Sequence, residues 1–145
     1  MLWKFSIDEG KRGDVAIEIQ RGGTGKGLAY WTDGIAERIL YVTPGYRLVA
    51  LDAKTGTLVP DFGDMGIVDL KRGVDQDDIN LETAPFGLRA PPLIVGDIVI
   101  VGSAHNPQGR PNRRNVKGAI RAFDIRTGKR LWIFHTIPQK GEFGS

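Results

Sequence analysis

A glycine-rich segment, residues 22–27, carries the side chains whose chemistry is easiest to infer from type and spacing. It reads Gly-Gly-Thr-Gly-Lys-Gly, so backbone amides, the Thr24 hydroxyl and the Lys26 ammonium could together bind an anion. A nucleotide-binding phosphate loop fits poorly, because Gln20 stands where its first glycine belongs and Gly27 stands where Ser or Thr would bind magnesium. The better interpretations are a plain flexible loop and a contact between Lys26 and a ligand carboxylate.

Carboxylates and histidines could bind a metal ion, but their spacing does not favour it. The acidic candidates are Asp75, Asp77, Asp78 and Glu82. A calcium-binding loop needs an oxygen ligand where Ile79 stands and a glycine that is missing, so we expect a solvated acidic loop. The two histidines, His105 and His135, lie at opposite ends of the second repeat described below, which argues against a shared zinc site. We expect His105 to approach a ligand and His135 to be structural.

Charge and composition argue against several classes of partner. The chain has 20 Lys and Arg against 17 Asp and Glu, and a net charge of +3 is too small a bias to indicate nucleic acid or a membrane surface. A basic loop at 103–118 has no interleaved aromatic residue to stack on bases, so a solvated loop is expected; its cations are Arg110, Arg113, Arg114 and Lys117. There is no cysteine for a disulfide or a thiolate site. No apolar run could span a bilayer, and the alternating residues 1–8 predict a strand rather than a signal peptide.

An internal repeat organises the chain. Residues 47–56 return as residues 119–128, with Asp52 matching Asp124 at an offset of 72. Each copy predicts a strand that enters an Asp-x-x-Thr-Gly turn, in which the carboxylate accepts hydrogen bonds from turn amides and the glycine takes a positive φ. No segment has a sustained helical period, so helices are not expected. The 20 glycines and the short β-branched runs also indicate an all-β protein.

Each repeat contains four predicted strands, a pattern typical of β-propeller blades. The first blade, residues 27–62, is predicted to contain strands Leu28–Trp31, Arg38–Thr43, Arg47–Asp52 and a weak Thr57–Phe62. The second blade, residues 90–135, is predicted to contain Pro92–Val95, Asp97–Gly102, Ala119–Asp124 and Arg130–His135. Residues 1–7 match the closing strand of an earlier blade, and residues 136–145 would begin the link to a following one. The chain is therefore predicted to be a partial propeller of about two blades.

Loop lengths indicate which face of the blades carries function. In an up-and-down sheet, alternate connections emerge on opposite faces, and here the short connections share one face. The long segments 8–26, 63–91 and 103–118 share the other, which we call the long-loop face. Binding and catalysis usually use long loops on a rigid scaffold. The functional site is therefore expected on the long-loop face, where His105 also lies.

Several motifs resemble the quinoprotein dehydrogenases. The motif Ala122-x-Asp124-x-x-Thr127-Gly128-x-x-x-Trp132 is similar to their tryptophan-docking motif, in which the Trp of one blade packs against the next. The copy from Ala50 to Gly56 fits equally well until Pro60 replaces the Trp, so this junction is expected to be weaker or differently packed. Segments that resemble methanol dehydrogenase-like enzymes are 27–31, 90–95 and 101–103, whereas 134–138 and 141–144 resemble the glucose dehydrogenase-like branch.

The resemblance implies part of an eight-bladed, periplasmic enzyme that depends on pyrroloquinoline quinone (PQQ). Such enzymes oxidise alcohols or sugars, pass the electrons to an acceptor and hold the quinone at the propeller centre with a calcium ion. The cofactor contacts that it implies here are Thr24, Lys26, Ser103, Ala104 and His105. Lys26 stands where the family has Arg, so the charge is kept but the planar fork is lost. This fragment is expected to supply the wall and rim of the quinone pocket and to be inactive alone.

Some family features have no counterpart in the sequence. The vicinal cysteines of the alcohol dehydrogenase branch correspond to Gln20 and Arg21, and no carboxylate near Ala104 matches the family's calcium-ligating Glu. The catalytic Asp is expected beyond Ser145. The rival hypothesis is a non-catalytic propeller of the outer-membrane assembly scaffold type, which shares the blade motif without the cofactor. The dehydrogenase-like segments favour the enzyme.

Overall fold

A computed structural model describes residues 2–19, 27–88, 90–105 and 116–144. The described residues form one helix and ten strands, namely α1 Lys11–Ile19, β1 Ala29–Thr32, β2 Glu37–Val42, β3 Arg47–Asp52, β4 Ile67–Asp69, β5 Phe86–Gly87, β6 Leu93–Val95, β7 Ile98–Val101, β8 Ala104–His105, β9 Ala119–Asp124 and β10 Arg130–His135. In this part of the chain no helix is long and apolar enough to cross a membrane.

Two four-stranded antiparallel sheets make up most of the structure. The first has the order β1-β2-β3-β4 and the second β6-β7-β9-β10, so each is a simple meander. Between the sheets lies a core of buried apolar side chains, with Leu40 and Leu48 from the first sheet and Val99 and Phe123 from the second. This confirms the predicted all-β fold with two blade-like sheets.

The fourth strand of the first sheet is not where the sequence pattern placed it. The prediction was Thr57–Phe62, whereas β4 is Ile67–Asp69 and pairs with β3 through Arg47 opposite Asp69. Residues 57–66 instead form turns, with two isolated bridges, between Leu51 and Leu58 and between Asp64 and Ile67. Pro60 has no N–H to donate to a ladder, which disfavours a regular strand through this position.

The helix α1 was also not expected, because its sequence lacks a clear apolar period. Asp8 begins the turn that leads into it, accepting a 2.9 Å hydrogen bond from the amide of Gly10. Along the helix, Arg12 and Ala16 are buried, and the first of these is a charged residue. A helix of nine residues is marginal by propensity alone, so its contacts with the first sheet must stabilise it. Those contacts are ionic and are described below.

The Asp-x-x-Thr-Gly turns form as predicted. A carboxylate oxygen of Asp52 accepts hydrogen bonds from the amides of residues 54 and 55, both at 2.9 Å. The same oxygen of Asp124 accepts from residues 126 and 127, at 2.9 and 2.8 Å. The glycines that end the turns, Gly56 and Gly128, have φ values of 70° and 72°, which residues with a Cβ rarely adopt. The repeat therefore has one local mechanism used twice.

Trp3 docks on the first of these turns. Residues 2–9 form no strand, contrary to the prediction, but the Trp3 indole Nε1 donates a 3.0 Å hydrogen bond to the Ala53 carbonyl. A Cβ at Gly56 would collide with the Trp3 ring, so the ring packs directly on the turn backbone. Phe5 adds an edge-on contact with Tyr41, at 6.3 Å between ring centroids. The segment thus covers the first sheet without joining it.

The junction between the two sheets uses an arginine where the docking motif would use a tryptophan. The carbonyl of Ile125 is the repeat equivalent of the Ala53 carbonyl, and it accepts a 2.6 Å hydrogen bond from Arg38 Nη1. The same nitrogen donates to the Arg126 carbonyl at 2.9 Å. Above Gly128 the space is filled by the backbone of residue 63 and by Val68. The Pro60 junction is therefore differently packed, as one of the two expectations stated.

Candidate functional site

The three long segments of the long-loop face are tied to one another by backbone and ionic contacts. Strand β5 from the second segment pairs with β8 from the third, placing Phe86 opposite His105 and Gly87 opposite Ala104. This short sheet gives Ala104 and His105 a fixed backbone position that the sequence pattern did not predict. Ala104 and His105, two of the expected contact residues, thus lie on β8, beside β5.

Ser103, a third expected contact, is committed to its own sheet. Its hydroxyl accepts a 2.9 Å hydrogen bond from the Ala119 amide and donates one of 3.1 Å to the Ala119 carbonyl. The hydroxyl therefore closes the start of β9 in the way that a ladder pair would. Its only donor is used, so Ser103 could contact a ligand only as an acceptor.

Thr24 and Lys26, the remaining predicted contacts, lie outside the described residues. The chain is described again from Gly27, which sits against Pro91 so closely that a Cβ at this position would lie 2.8 Å from the proline ring. Gly27 thus precedes β1 of the first sheet in the chain and contacts Pro91, which precedes β6 of the second sheet.

The ionic contacts of Glu9 anchor the start of α1 to the loop between β2 and β3. Its carboxylate accepts hydrogen bonds from the Gly45 amide at 2.6 Å and from Arg47 Nη1 at 2.9 Å. The Thr43 hydroxyl donates to the same carboxylate. Only 7% of the Glu9 side chain is exposed, so this acceptor is satisfied by the protein rather than by water.

Arg12 anchors the first turn of the helix to the end of β4. Its guanidinium forms a two-pronged ion pair with Asp69, both hydrogen bonds being 2.9 Å, and lies 3.4 Å from Glu82. Burial would raise the pKa of Asp69, but the hydrogen bonds and charge of Arg12 outweigh it and hold that pKa below its ordinary value. Because the Arg12 side chain is 3% exposed, loss of Asp69 would leave a buried cation with only the longer contact to Glu82.

Lys71 lies in the same region and has a strongly shifted pKa. Its ammonium donates a 2.9 Å hydrogen bond to the Ala84 carbonyl, and 3% of the residue is exposed. Burial, and then the nearby charge of Arg12, lower its pKa to about 8, whereas Asp69 and Glu82 oppose the shift. The amine is thus the one strongly shifted cation among the described residues.

Arg121 carries a second buried charge, placed between the two sheets. Its guanidinium donates to the Leu70 carbonyl at 2.6 Å, to the Arg72 carbonyl at 2.8 Å and to the Tyr46 hydroxyl at 3.1 Å. Among the described residues no carboxylate lies within ion-pair distance of it, so carbonyl and hydroxyl oxygens stabilise the cation. The Tyr46 hydroxyl in turn donates to the Gly102 carbonyl at 2.6 Å, next to Ser103.

These contacts anchor the long segments to the two sheets. The described residues contain no group of three or more His, Asp or Glu side chains arranged to hold a metal ion. They also do not form a quinone site by themselves, because the Ser103 donor is already used and the predicted cation, Lys26, lies outside them. Sequence inspection missed the anchoring residues Glu9, Arg12 and Asp69. In the sequence, these residues were simply charged residues within segments predicted to be loops, and nothing there indicated that they pair with one another.

The fold and these turns define the class of protein as a β-propeller built with tryptophan-docking turns. The PQQ family model described as glucose/ethanol/alcohol dehydrogenase, beta-propeller domain, matches residues 1–145. The chain therefore belongs to this family of quinoprotein dehydrogenases.

Three similar proteins are each much longer than this chain. The quinoprotein glucose dehydrogenase of Gluconobacter oxydans (strain 621H) is 34% identical over 99 residues, covering 68% of this chain and 12% of the relative. The glycerol dehydrogenase large subunit of Gluconobacter thailandicus is 31% identical over 118 residues, covering 75% and 15%. The crystal structure of quinohemoprotein alcohol dehydrogenase from Comamonas testosteroni superimposes with a TM-score of 0.61 at 22% identity, covering 94% of this chain and 17% of that one. The chain thus spans less than a fifth of the length of these proteins.

Proposed function

We propose that this chain is part of a PQQ-dependent dehydrogenase that oxidises a CH–OH group of a sugar or alcohol and passes the electrons to an acceptor. The observation that carries the proposal is the family match over the full 145 residues. Relatives named for glucose and glycerol oxidation support the substrate class. When bound, the quinone supplies the redox chemistry, and the protein positions it.

Within such an enzyme, this chain would form the wall and rim of the quinone pocket. Lys26 would offer a positive charge to a quinone carboxylate, with Thr24 beside it as a hydroxyl donor. Arg12 and Glu9 would hold the helix that precedes this segment, while the contact of Gly27 with Pro91 holds the segment's other end. A calcium ion would be bound by residues outside this chain, and the parent enzyme would work in the periplasm.

Cofactor titration of the full-length protein that contains this chain tests the role of Lys26. We expect Lys26→Ala to weaken quinone binding roughly tenfold or more, because a buried carboxylate would lose a charged donor. Lys26→Arg should retain binding, since it keeps the charge. The matched control is Lys54→Ala, because Lys54 is 69% exposed in the Asp52–Gly56 turn of the opposite face.

Quinone affinity is read from the quenching of protein fluorescence, which does not require turnover. Equal affinities for Lys26→Ala and Lys54→Ala would reject Lys26 as a cofactor contact. Absence of any quinone binding by the unmodified full-length protein would instead favour the scaffold propeller. Cell fractionation with a periplasmic marker enzyme tests the proposed location.

A further inference from the structure

The chain after β10 folds back on itself as a closed loop, residues 136–144, which we call the link. At its root, the Thr136 amide and hydroxyl both donate to the Gly118 carbonyl, at 3.1 and 2.8 Å. Further along, the Gln139 amide donates to the Glu142 carboxylate at 2.7 Å, and the Glu142 amide donates to the Gln139 carbonyl at 2.9 Å. The link is thus ordered by a few polar contacts rather than by apolar packing.

His135 lies between the link and the loop that follows β4 of the first sheet. Its Nδ1 is 2.6 Å from Glu142 Oε1, and its Nε2 is 3.5 Å from Asp75 Oδ2. The side chain is 8% exposed, and Nε2 has no hydrogen-bond partner among the described residues. A nearly buried imidazole therefore faces one carboxylate on each side, and each carboxylate belongs to a different part of the chain.

The geometry of Asp75 is held in place from outside its own segment. Its φ is 55°, a value that residues with a side chain seldom adopt. Arg130 Nη1 donates to the Gly73 carbonyl at 2.5 Å and lies 3.2 Å from Asp75 Oδ1. Such a conformation persists when surrounding contacts enforce it, and Arg130 and His135 supply these contacts from β10.

We propose that His135 is a proton-dependent latch. It fastens the link to residues 73–75, in the loop that follows β4 of the first sheet. Only the imidazolium form has an N–H on both nitrogens, so only this form can donate to Glu142 and attract Asp75 together. The neutral ring can donate to one of them and carries no charge for either. Acidic conditions favour the imidazolium, so the latch closes as the pH falls.

Besides His135, the charged groups of this region are Glu142, Asp75, Arg130 and Lys117. The Gln139 amide, and then His135, hold the pKa of Glu142 below its ordinary value, so that carboxylate is ionised throughout. Arg130 Nη1 lies 3.2 Å from Asp75 Oδ1 and holds that segment independently of His135. Lys117 donates a 2.8 Å hydrogen bond from its ammonium to the Gln139 side chain. The release is therefore confined to the link.

Hydrogen exchange followed by mass spectrometry tests the latch in the intact chain, and it tolerates self-association. Exchange of the peptide that covers the link is measured at pH 5.5 and 8.5 and corrected for the intrinsic pH dependence of the chemistry. We expect protection of the link to fall roughly three- to tenfold at pH 8.5, because a charge-assisted, partly exposed contact is lost. Peptides from β2 and β3 should keep their protection, which excludes global unfolding.

Two variants separate the latch from a merely structural contact. His135→Gln and Glu142→Gln should each give a link whose protection is low and independent of pH. Lys140→Gln changes the charge of the same exposed link without touching His135, and its pH dependence should match that of the wild type. Equal protection at both pH values in the wild-type chain, or pH dependence that survives in Glu142→Gln, would overturn the proposal.

Discussion

Replacing Arg38 by Met should weaken the junction between the two sheets. Met keeps the unbranched stem of the side chain but removes the guanidinium that donates to the carbonyls of Ile125 and Arg126. No tryptophan is available to take over, because the position of the docking Trp is Pro60 and the segment around it forms turns. The perturbation therefore tests whether one arginine does the work of the missing indole.

The expected loss follows from the geometry of the two hydrogen bonds. A hydrogen bond to a charged donor contributes about 1.5 to 3 kcal/mol, but the bond to Arg126 is exposed and counts for little. The bond to the Ile125 carbonyl is part-buried, and Arg38 also lies 5.6 Å from the Trp31 ring centroid, which adds about 0.5 kcal/mol. Burial lowers the pKa of Arg38, so removing the cation also relieves a desolvation cost. The net loss should be about 2 kcal/mol.

Urea unfolding followed by tryptophan fluorescence measures this loss. With a slope of about 2 kcal/mol per molar urea, the midpoint should fall by about 1 M. All variants are compared at one protein concentration, so that self-association affects each equally. Arg38→Lys should give an intermediate value, because it keeps the charge but cannot reach two carbonyls with a planar fork. Lys54→Met, which removes an exposed ion pair on another turn, should shift the midpoint by less than about 0.3 M. The reasoning would be refuted if Arg38→Met shifted the urea midpoint no more than Lys54→Met does.

Three further predictions concern docking, pH and the isolated chain. Trp3→Phe should cost at least about 1 kcal/mol in urea unfolding, because the indole hydrogen bond and part of the ring that packs on Gly56 are lost, and Gly56→Ala should cost more, since its Cβ would collide with the Trp3 ring. Stability should rise between about pH 8 and 10, because the pKa of Lys71 is lowered on folding and the unfolded chain therefore binds more protons over this range. The rise should disappear in Lys71→Met. Equal urea midpoints at pH 7.5 and 9.5 in the wild type would contradict this prediction. The chain expressed alone should self-associate or bind hydrophobic dye and reduce no acceptor dye with added quinone and calcium. Size-exclusion chromatography with light scattering and a dye-reduction assay check both, and a monodisperse monomer or sugar-dependent dye reduction would contradict it.

The features that sequence inspection predicted well have a mechanism within a few residues. The turn after Asp52 needs only a carboxylate, two amides and Gly56, all of which are adjacent in the chain. The same holds for Asp124 and Gly128. Seven of the eight predicted blade strands also overlap observed strands. Local geometry can be read from a short motif because no distant group is needed to complete it.

The features that were missed depend on distant partners. Helix α1 has no clear apolar face, and it is held by Arg12 pairing with Asp69 across 57 residues of sequence. Strand β4 begins ten residues later than the pattern suggested, because the Pro60 segment is diverted into turns that cover Gly128 of the other sheet. No periodicity encodes either arrangement. In the candidate site, likewise, the hydrogen bonds that Ser103 makes with Ala119 were not predicted.

One face of the second sheet should be an interface, because its docking tryptophan, Trp132, has no turn to pack on among the described residues. Trp3 has its turn at Gly56, and Arg38 serves the turn that ends at Gly128. Trp132 occupies the same motif position as Trp3 would in an earlier repeat, yet it is 43% exposed and lies beside Phe134, which is 60% exposed. An exposed indole with an exposed apolar neighbour is complementary to one more Asp-x-x-Thr-Gly turn. Because the first sheet presents such a turn under Trp3, a second copy of the chain can compete with Trp3 for it, which is the physical reason to expect self-association.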